Sequence, residues 1–243
     1  MRIPVIQGVI ERRILANYRV DPEVVARVLP KPFRPQLVRG FAIAGICLIR
    51  LKNVRPKLWP FPWGIHSENA AHRIAVEWDA QGQTRSGVYI PRRDSSSLLN
   101  SFAGGTLFPG EHHYATFKVQ ESDSHLSVNV NSYDNSTRIH VSGHVQDFVE
   151  TNLFSSLTEA SDFFAKGSLG YSATHDSRRF DGLELRCSTW QVEPLAIERM
   201  ESSFFDDKNR FPTGSIHFDC ALLMRNIQHE WHGREDICCR AEI

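Results

Sequence analysis

The chain has 243 residues, 41% of them hydrophobic and 23% charged, a balance that fits one large globular domain or two small ones. Its 28 basic and 28 acidic residues cancel, so there is no global basic field to hold nucleic acid or an anionic membrane. The cysteine count, 5, is odd and no pair has CxxC spacing, which favours reduced cytoplasmic thiols over a disulfide framework.

In chain order, Met1 to Val5 carries no apolar stretch of the kind a signal peptide needs. Arg12 to Tyr18 reads as a strand, and Asp21-Pro22-Glu23 as a helix start with an aspartate cap and proline in the first turn. Val24, Val25, Val28 and Leu29 give that helix an apolar face, and Pro30, Pro32 and Pro35 end it. Phe41 to Leu51 predicts a buried strand, and its apolar run is about half of what spans a bilayer. Arg55 to Trp63, with three prolines, predicts a rigid loop whose tryptophans pack as a lid or plug. A strand ending near Trp78 follows, then a turn at Gln81-Gly82-Gln83 and a strand through Val88-Tyr89-Ile90 that Pro91 is expected to stop. Asp94 is placed to cap a short helix over Ser95 to Ser101, broken by Gly104-Gly105. Strands are expected from Tyr114, over Leu126 to Val130 and over Thr137 to Val145, where apolar and polar residues alternate. Ser156-Leu157-Thr158-Glu159 is a capping box, and Gly167 marks the far end of its helix. Leu183 to Val192 and Ile216 to Met224 read as the last strands. With no linker, repeat or βαβ array in sight, the expectation is a single domain over 1–243. Its class is α+β, mostly antiparallel, with a strongly curved or barrel-like sheet and few helices.

The nucleotide-loop, zincin and hydrolase-elbow motifs are absent from the sequence. Glu68, close in sequence to His72 and Arg73, has the chemistry of a general acid or base, and equally of a structural ion pair. Arg92-Arg93-Asp94, with Tyr89 just before, offers cations for an anionic ligand. The plain alternative sends the two arginines to opposite faces, one solvated and one paired with Asp94. Glu111 and His112 supply further proton-transfer groups, His112 near neutral pH. The histidine pairs lack the cysteine or carboxylate company of a metal shell, so no metal site is expected.

Several stretches together resemble the uncharacterised YqjF-like proteins over nearly the whole chain. They are Ile14 to Pro22, Gly64 to Asn69, Val88 to Asp94, Leu107 to Gly110, Glu201 to Asp206 and Ala221 to Arg225. That resemblance implies a fold similar to acetoacetate decarboxylase, a cone-shaped antiparallel β-barrel with a cavity inside. His66-Ser67-Glu68 resembles the decarboxylases' Tyr-x-Glu motif, and Arg92-Arg93-Asp94 is a loose counterpart of their Gly-Arg-Glu turn. Where they carry Pro-Lys-Lys, with its Schiff-base lysine, this chain reads Pro109-Gly110-Glu111. Only Lys118, on the following strand, could substitute.

The resulting expectation is a cytoplasmic protein that binds a small carboxylate or oxo acid in a β-cone, without a cofactor. Glu68, Glu111 and His112 are its candidate acid–base residues, and Arg73, Tyr89, Arg92 and Arg93 its candidate ligand-binding residues. Any lyase or acid–base chemistry would proceed without an imine. The competing reading is a non-catalytic interaction module whose polar motifs only brace the barrel. A dry apolar interior would favour the module, and convergent charges would favour ligand binding. A homo-oligomer is compatible with the resemblance, but no interface is legible in the sequence.

Overall fold

A computed structural model describes residues 4–61, 63–97 and 110–239. The chain folds into one 13-stranded sheet with two helices among the described residues. The strands are β1 (Ile6–Val20), β2 (Arg34–Pro35), β3 (Leu37–Val38), β4 (Phe41–Pro56), β5 (Ile65–Ala80), β6 (Gln83–Ser95), β7 (His112–Glu121), β8 (His125–Ser132), β9 (Arg138–Val145), β10 (Leu169–Ala173), β11 (Arg179–Cys187), β12 (Glu193–Ser202) and β13 (Ile216–Cys238). The helices are α1 (Pro22–Val28) and α2 (Leu157–Lys166).

The strand pairings close on themselves. β13, β1, β4, β5, β6, β10 and β11 pair in succession, and β11 returns to β13. A second circuit leaves β6 through β7, β8, β9 and β12 and rejoins at β13. The β13–β1–β4–β5 wall therefore belongs to both circuits, and it is buried on both faces. On β1, Ile14, Ala16 and Tyr18 enter one apolar cluster, while Leu15 enters the other. This double burial explains why Phe41 to Ile49 is a continuous apolar run without alternation.

The strand-rich architecture expected of the decarboxylase-like fold is present, with differences in detail. β6 does not stop at Pro91. The register against β5 shifts between His72 and Ile74, and Pro91 sits at that irregularity, where a missing N–H is tolerated. Asp94 therefore lies in the strand, and the helix expected over Ser95 to Ser101 falls largely outside the described residues. Two pairings are parallel, β6 with β10 and β6 with β7. Gly87 sits where β10 approaches, and a Cβ there would collide with the Leu169 carbonyl. β10 and β12 were not anticipated, and β13 runs on to Cys238 rather than ending near Met224.

Both helices begin as the sequence predicts. Glu23 N–H donates to the Asp21 carboxylate at 2.8 Å, and Glu159 N–H donates to Ser156 Oγ at 3.2 Å. The Glu159 carboxylate accepts from Ser155 N–H and Oγ rather than closing the box on Ser156. α2 lays Phe164 and Ala160 on the second apolar cluster. The tryptophans of the β4–β5 loop form no plug: Trp59, Phe61 and Trp63 are exposed and pack on one another. All five cysteines are free. No helix among the described residues is long and apolar enough to cross a membrane.

Candidate functional site

The first circuit surrounds a cavity of about 120 Å³. Every strand of that circuit contributes to its lining. Arg13 comes from β1, Cys47 from β4, Arg73 from β5 and Arg93 from β6. Gly170, Leu183 and Trp231 come from β10, β11 and β13. His112 at the start of β7 and Phe164 of α2 complete the polar and aromatic parts.

Strand alternation decides which residues reach it, because neighbours on a strand point to opposite faces. In Arg92-Arg93, Arg93 stands opposite Ala71, which also lines the cavity, and Arg92 stands opposite His72, which does not. In Arg12-Arg13, Arg13 faces in. Arg12 points away and is fully buried, donating to Glu68 at 2.5 Å and Glu121 at 3.2 Å. In His72-Arg73, Arg73 faces in. His72 packs beneath Phe204 and Phe205, 3.1 Å from Ser202 Oγ.

The three inward arginines have few partners. Arg93 donates from Nε to Ser172 Oγ at 2.9 Å. Arg73, only 7% exposed, donates to Asn17 Oδ1 and lies 5.0 Å over the Phe164 ring, and its Nε has no partner among the described residues. Arg13 meets Cys47 Sγ at 3.3 Å and Met224 Sδ at 3.9 Å, with the Trp190 ring 5.7 Å away. No carboxylate of the described residues forms an ion pair with any of the three. Asp94, the acidic residue of the lining, is fully buried, and its two oxygens accept from Arg92 at 2.8 and 3.2 Å. Burial lowers Arg73 and Arg93 to about 10. At neutral pH both remain cations at the cavity, and no carboxylate of the described residues is paired with either. Desolvated and uncompensated cations of this kind are costly unless an anion joins them.

His112 is drawn down to about 3, by burial first and then by the Arg93 charge. It is a neutral imidazole at physiological pH, with Nδ1 3.3 Å from the Gly110 carbonyl. Gly110 sets up this approach with a φ of 83°, while its N–H donates to Asp181 at 3.0 Å.

The candidate residues therefore separate. Arg73, Arg93 and His112 come together at the cavity. Glu68 lies on the opposite face of β5 from its neighbours Ser67 and Asn69, and its two oxygens accept from Arg12 and Arg50, each at 2.5 Å. Arg92 bridges Asp94 and Asp134 on the face opposite Arg93, which is the Asp94-paired member of the plain alternative. Tyr89 packs on Phe33 and Phe180, and burial raises its hydroxyl to about 12. Glu111 lies 3.5 Å from His113 and 3.4 Å from His175. Lys118 is exposed, and none of the chain's lysines belongs to the lining. Arg13, Cys47, Trp190 and Trp231 were not identified from sequence. The only signal for Arg13 was that it follows Arg12, just as Arg93 follows Arg92.

A family model described as "Uncharacterized conserved protein (COG2071)", DUF2071, matches residues 9–219. No curated protein matches the chain. Among solved structures the chain is similar to an acetoacetate decarboxylase-like enzyme from Sphingomonas wittichii RW1. The TM-score is 0.62 at 11% identity, over 98% of this chain and 93% of the other. It is also similar to the acetoacetate decarboxylase of Legionella pneumophila, with a TM-score of 0.59 at 10% identity over 96% and 88%. A third is the enduracididine biosynthesis enzyme MppR complexed with pyruvate, with a TM-score of 0.56 at 11% identity over 96% and 90%. At such identities the likeness concerns the fold.

Proposed function

The chain belongs to DUF2071, a family of uncharacterized conserved proteins, and we propose that it binds a small carboxylate-bearing molecule in the cavity between β1, β4, β5, β6, β10, β11 and β13. One observation carries the reading: Arg73 and Arg93 face the cavity with no carboxylate partner among the described residues. Arg93 and Arg73 hold the carboxylate, since a guanidinium presents paired donors that match its two oxygens. His112 contributes a neutral hydrogen-bonding group beside it. Glu68, Arg92, Tyr89 and Glu111 brace the walls from the other side. A neighbour of the same fold is described in complex with pyruvate, which is consistent with an oxo acid as one member of the ligand class.

Any chemistry at this site runs without an imine, because the lining supplies no lysine amine. The convergent arginines favour ligand binding over the interaction-module reading, which called for a dry apolar interior.

Isothermal titration with pyruvate and a panel of short carboxylates tests the proposal. Wild type should bind at least one member. Arg93→Gln should weaken that binding by about tenfold to a hundredfold, the worth of one charge-assisted hydrogen-bond pair. Unchanged affinity in Arg93→Gln, or no binding of any acid to wild type, would overturn it. The affinity should also collapse above about pH 10, where Arg73 and Arg93 lose the protons that attract an anion.

A further inference from the structure

The cavity is polar at one end and apolar at the other, and the strand register shows the gradient. Along β5, Arg73 and Ala71 lie level with Gly45 and Cys47 of β4, and Ala71 pairs with Arg93 on its other side. Moving back toward the start of β5, Asn69 is opposite Ile49, Ser67 opposite Leu51, and Ile65 opposite Val54. The guanidiniums of β5 and β6 therefore belong to one end of the β4–β5 wall, and Leu51, Val54 and Ile65 to the other. Trp231 joins the apolar end, since it pairs with Ile6, which in turn pairs with Pro56 at the close of β4. Leu185, its partner on β11, lines the same region. Beyond Val54 and Ile65 the chain continues into the exposed Trp59, Phe61 and Trp63 stack.

A ligand that satisfied only the arginines would leave this apolar half in contact with water or empty, and either outcome forfeits the burial free energy the walls offer. We propose that the cognate ligand is an amphipathic monocarboxylic acid. Its carboxylate lies at Arg73 and Arg93, and its hydrocarbon body lies along Leu51, Val54 and Ile65 toward Trp231. The proposal rests on the carboxylate-binding reading above and adds the substrate class and its orientation. The asymmetry separates this class from short oxo acids, which would occupy only the arginine end, and from dicarboxylates, whose second charge would sit among aliphatic side chains at a desolvation cost.

The test is titration calorimetry of the full chain with straight-chain acids from acetate to octanoate. Affinity should rise about fourfold with each added methylene, the equivalent of burying one CH₂, until the apolar end is filled. Ile65→Trp, which takes up space at that end, should bring the plateau to a shorter chain. Val54→Trp provides a second version of the same block should the first variant fail to fold, as judged by its thermal unfolding. Affinity that is flat or falls with chain length, while Arg93→Gln still weakens binding, overturns the amphipathic ligand and leaves the carboxylate site standing. A plateau that does not move in either folded variant places the tail elsewhere and also overturns the proposal. If no acid of any length binds, the carboxylate reading fails and this one with it.

Discussion

At the scale of the residue, the site is built by dividing three dyads between two faces. Arg12, His72 and Arg92 support the walls, and their successors Arg13, Arg73 and Arg93 face the cavity. Sequence reading could identify the doublets but could not say which member turned inward, because a one-residue shift of register reverses every side chain. Glu68 illustrates the consequence. Its neighbours Ser67 and Asn69 line the cavity, whereas its own carboxylate compensates the buried Arg12. Glu68→Gln should therefore cost about 1–3 kcal/mol in denaturant unfolding, less than breaking an isolated buried pair, because Glu121 still contacts Arg12. The same variant should bind carboxylates as wild type does, and a binding loss without a stability loss would return Glu68 to the site. Three histidines with depressed pKa values set an acid limit. Burial lowers His72 and His112 to about 3 and His229 to about 4, from 6.5. Below pH 6.5 the unfolded chain takes up protons that the folded chain refuses. Their contribution to stability is therefore complete above pH 6.5 and is lost as the pH falls toward 3, by up to about 1.4 kcal/mol per pH unit for each proton. Urea midpoints between pH 7 and 4 should show that slope, and His72→Gln should flatten it by about one proton.

At the scale of the element, α2 matters most to the site. Its starting cap and end were legible as Ser156, Glu159 and Gly167, because capping is a local reaction of a side chain with its own backbone. Its place was not legible: α2 carries Phe164 over the Arg73 guanidinium and closes that part of the cavity. Ser156→Ala should cost about 1 kcal/mol by chemical denaturation, with hydrogen exchange rising first in the first turn of α2. Exchange that rises uniformly through the strands instead would mean that α2 does not open on its own. β6 shows the opposite relation. Pro91 carried a stop signal that tertiary structure overrode, since the register shift beside it requires no N–H at that point.

At the scale of the molecule, the two circuits share the β13–β1–β4–β5 wall, and neither can lose it without opening the other. This predicts one cooperative unfolding transition, with far-UV circular dichroism and tryptophan fluorescence melting together. Two separated transitions would divide the chain into independent units. Ligand at a hundred times its dissociation constant should raise the stability of that single transition by about 2.7 kcal/mol.

The sequence by itself determined the strand-rich class, the two caps, the free thiols, and a resemblance to a decarboxylase-like family whose imine lysines this chain itself lacks. These are properties of composition, local backbone chemistry and motif, and they need no partner from a distant part of the chain. Tertiary structure alone decided the cavity. Arg13 comes from β1, far in sequence from Arg73 and Arg93 on β5 and β6, and what marks the three is that no carboxylate of the described residues pairs with them, which only the assembled strands can establish. Glu68 meets Arg12, and Arg92 meets Asp134, across distances in sequence that no local pattern records, whereas the contact of Arg92 with Asp94 two residues on was legible.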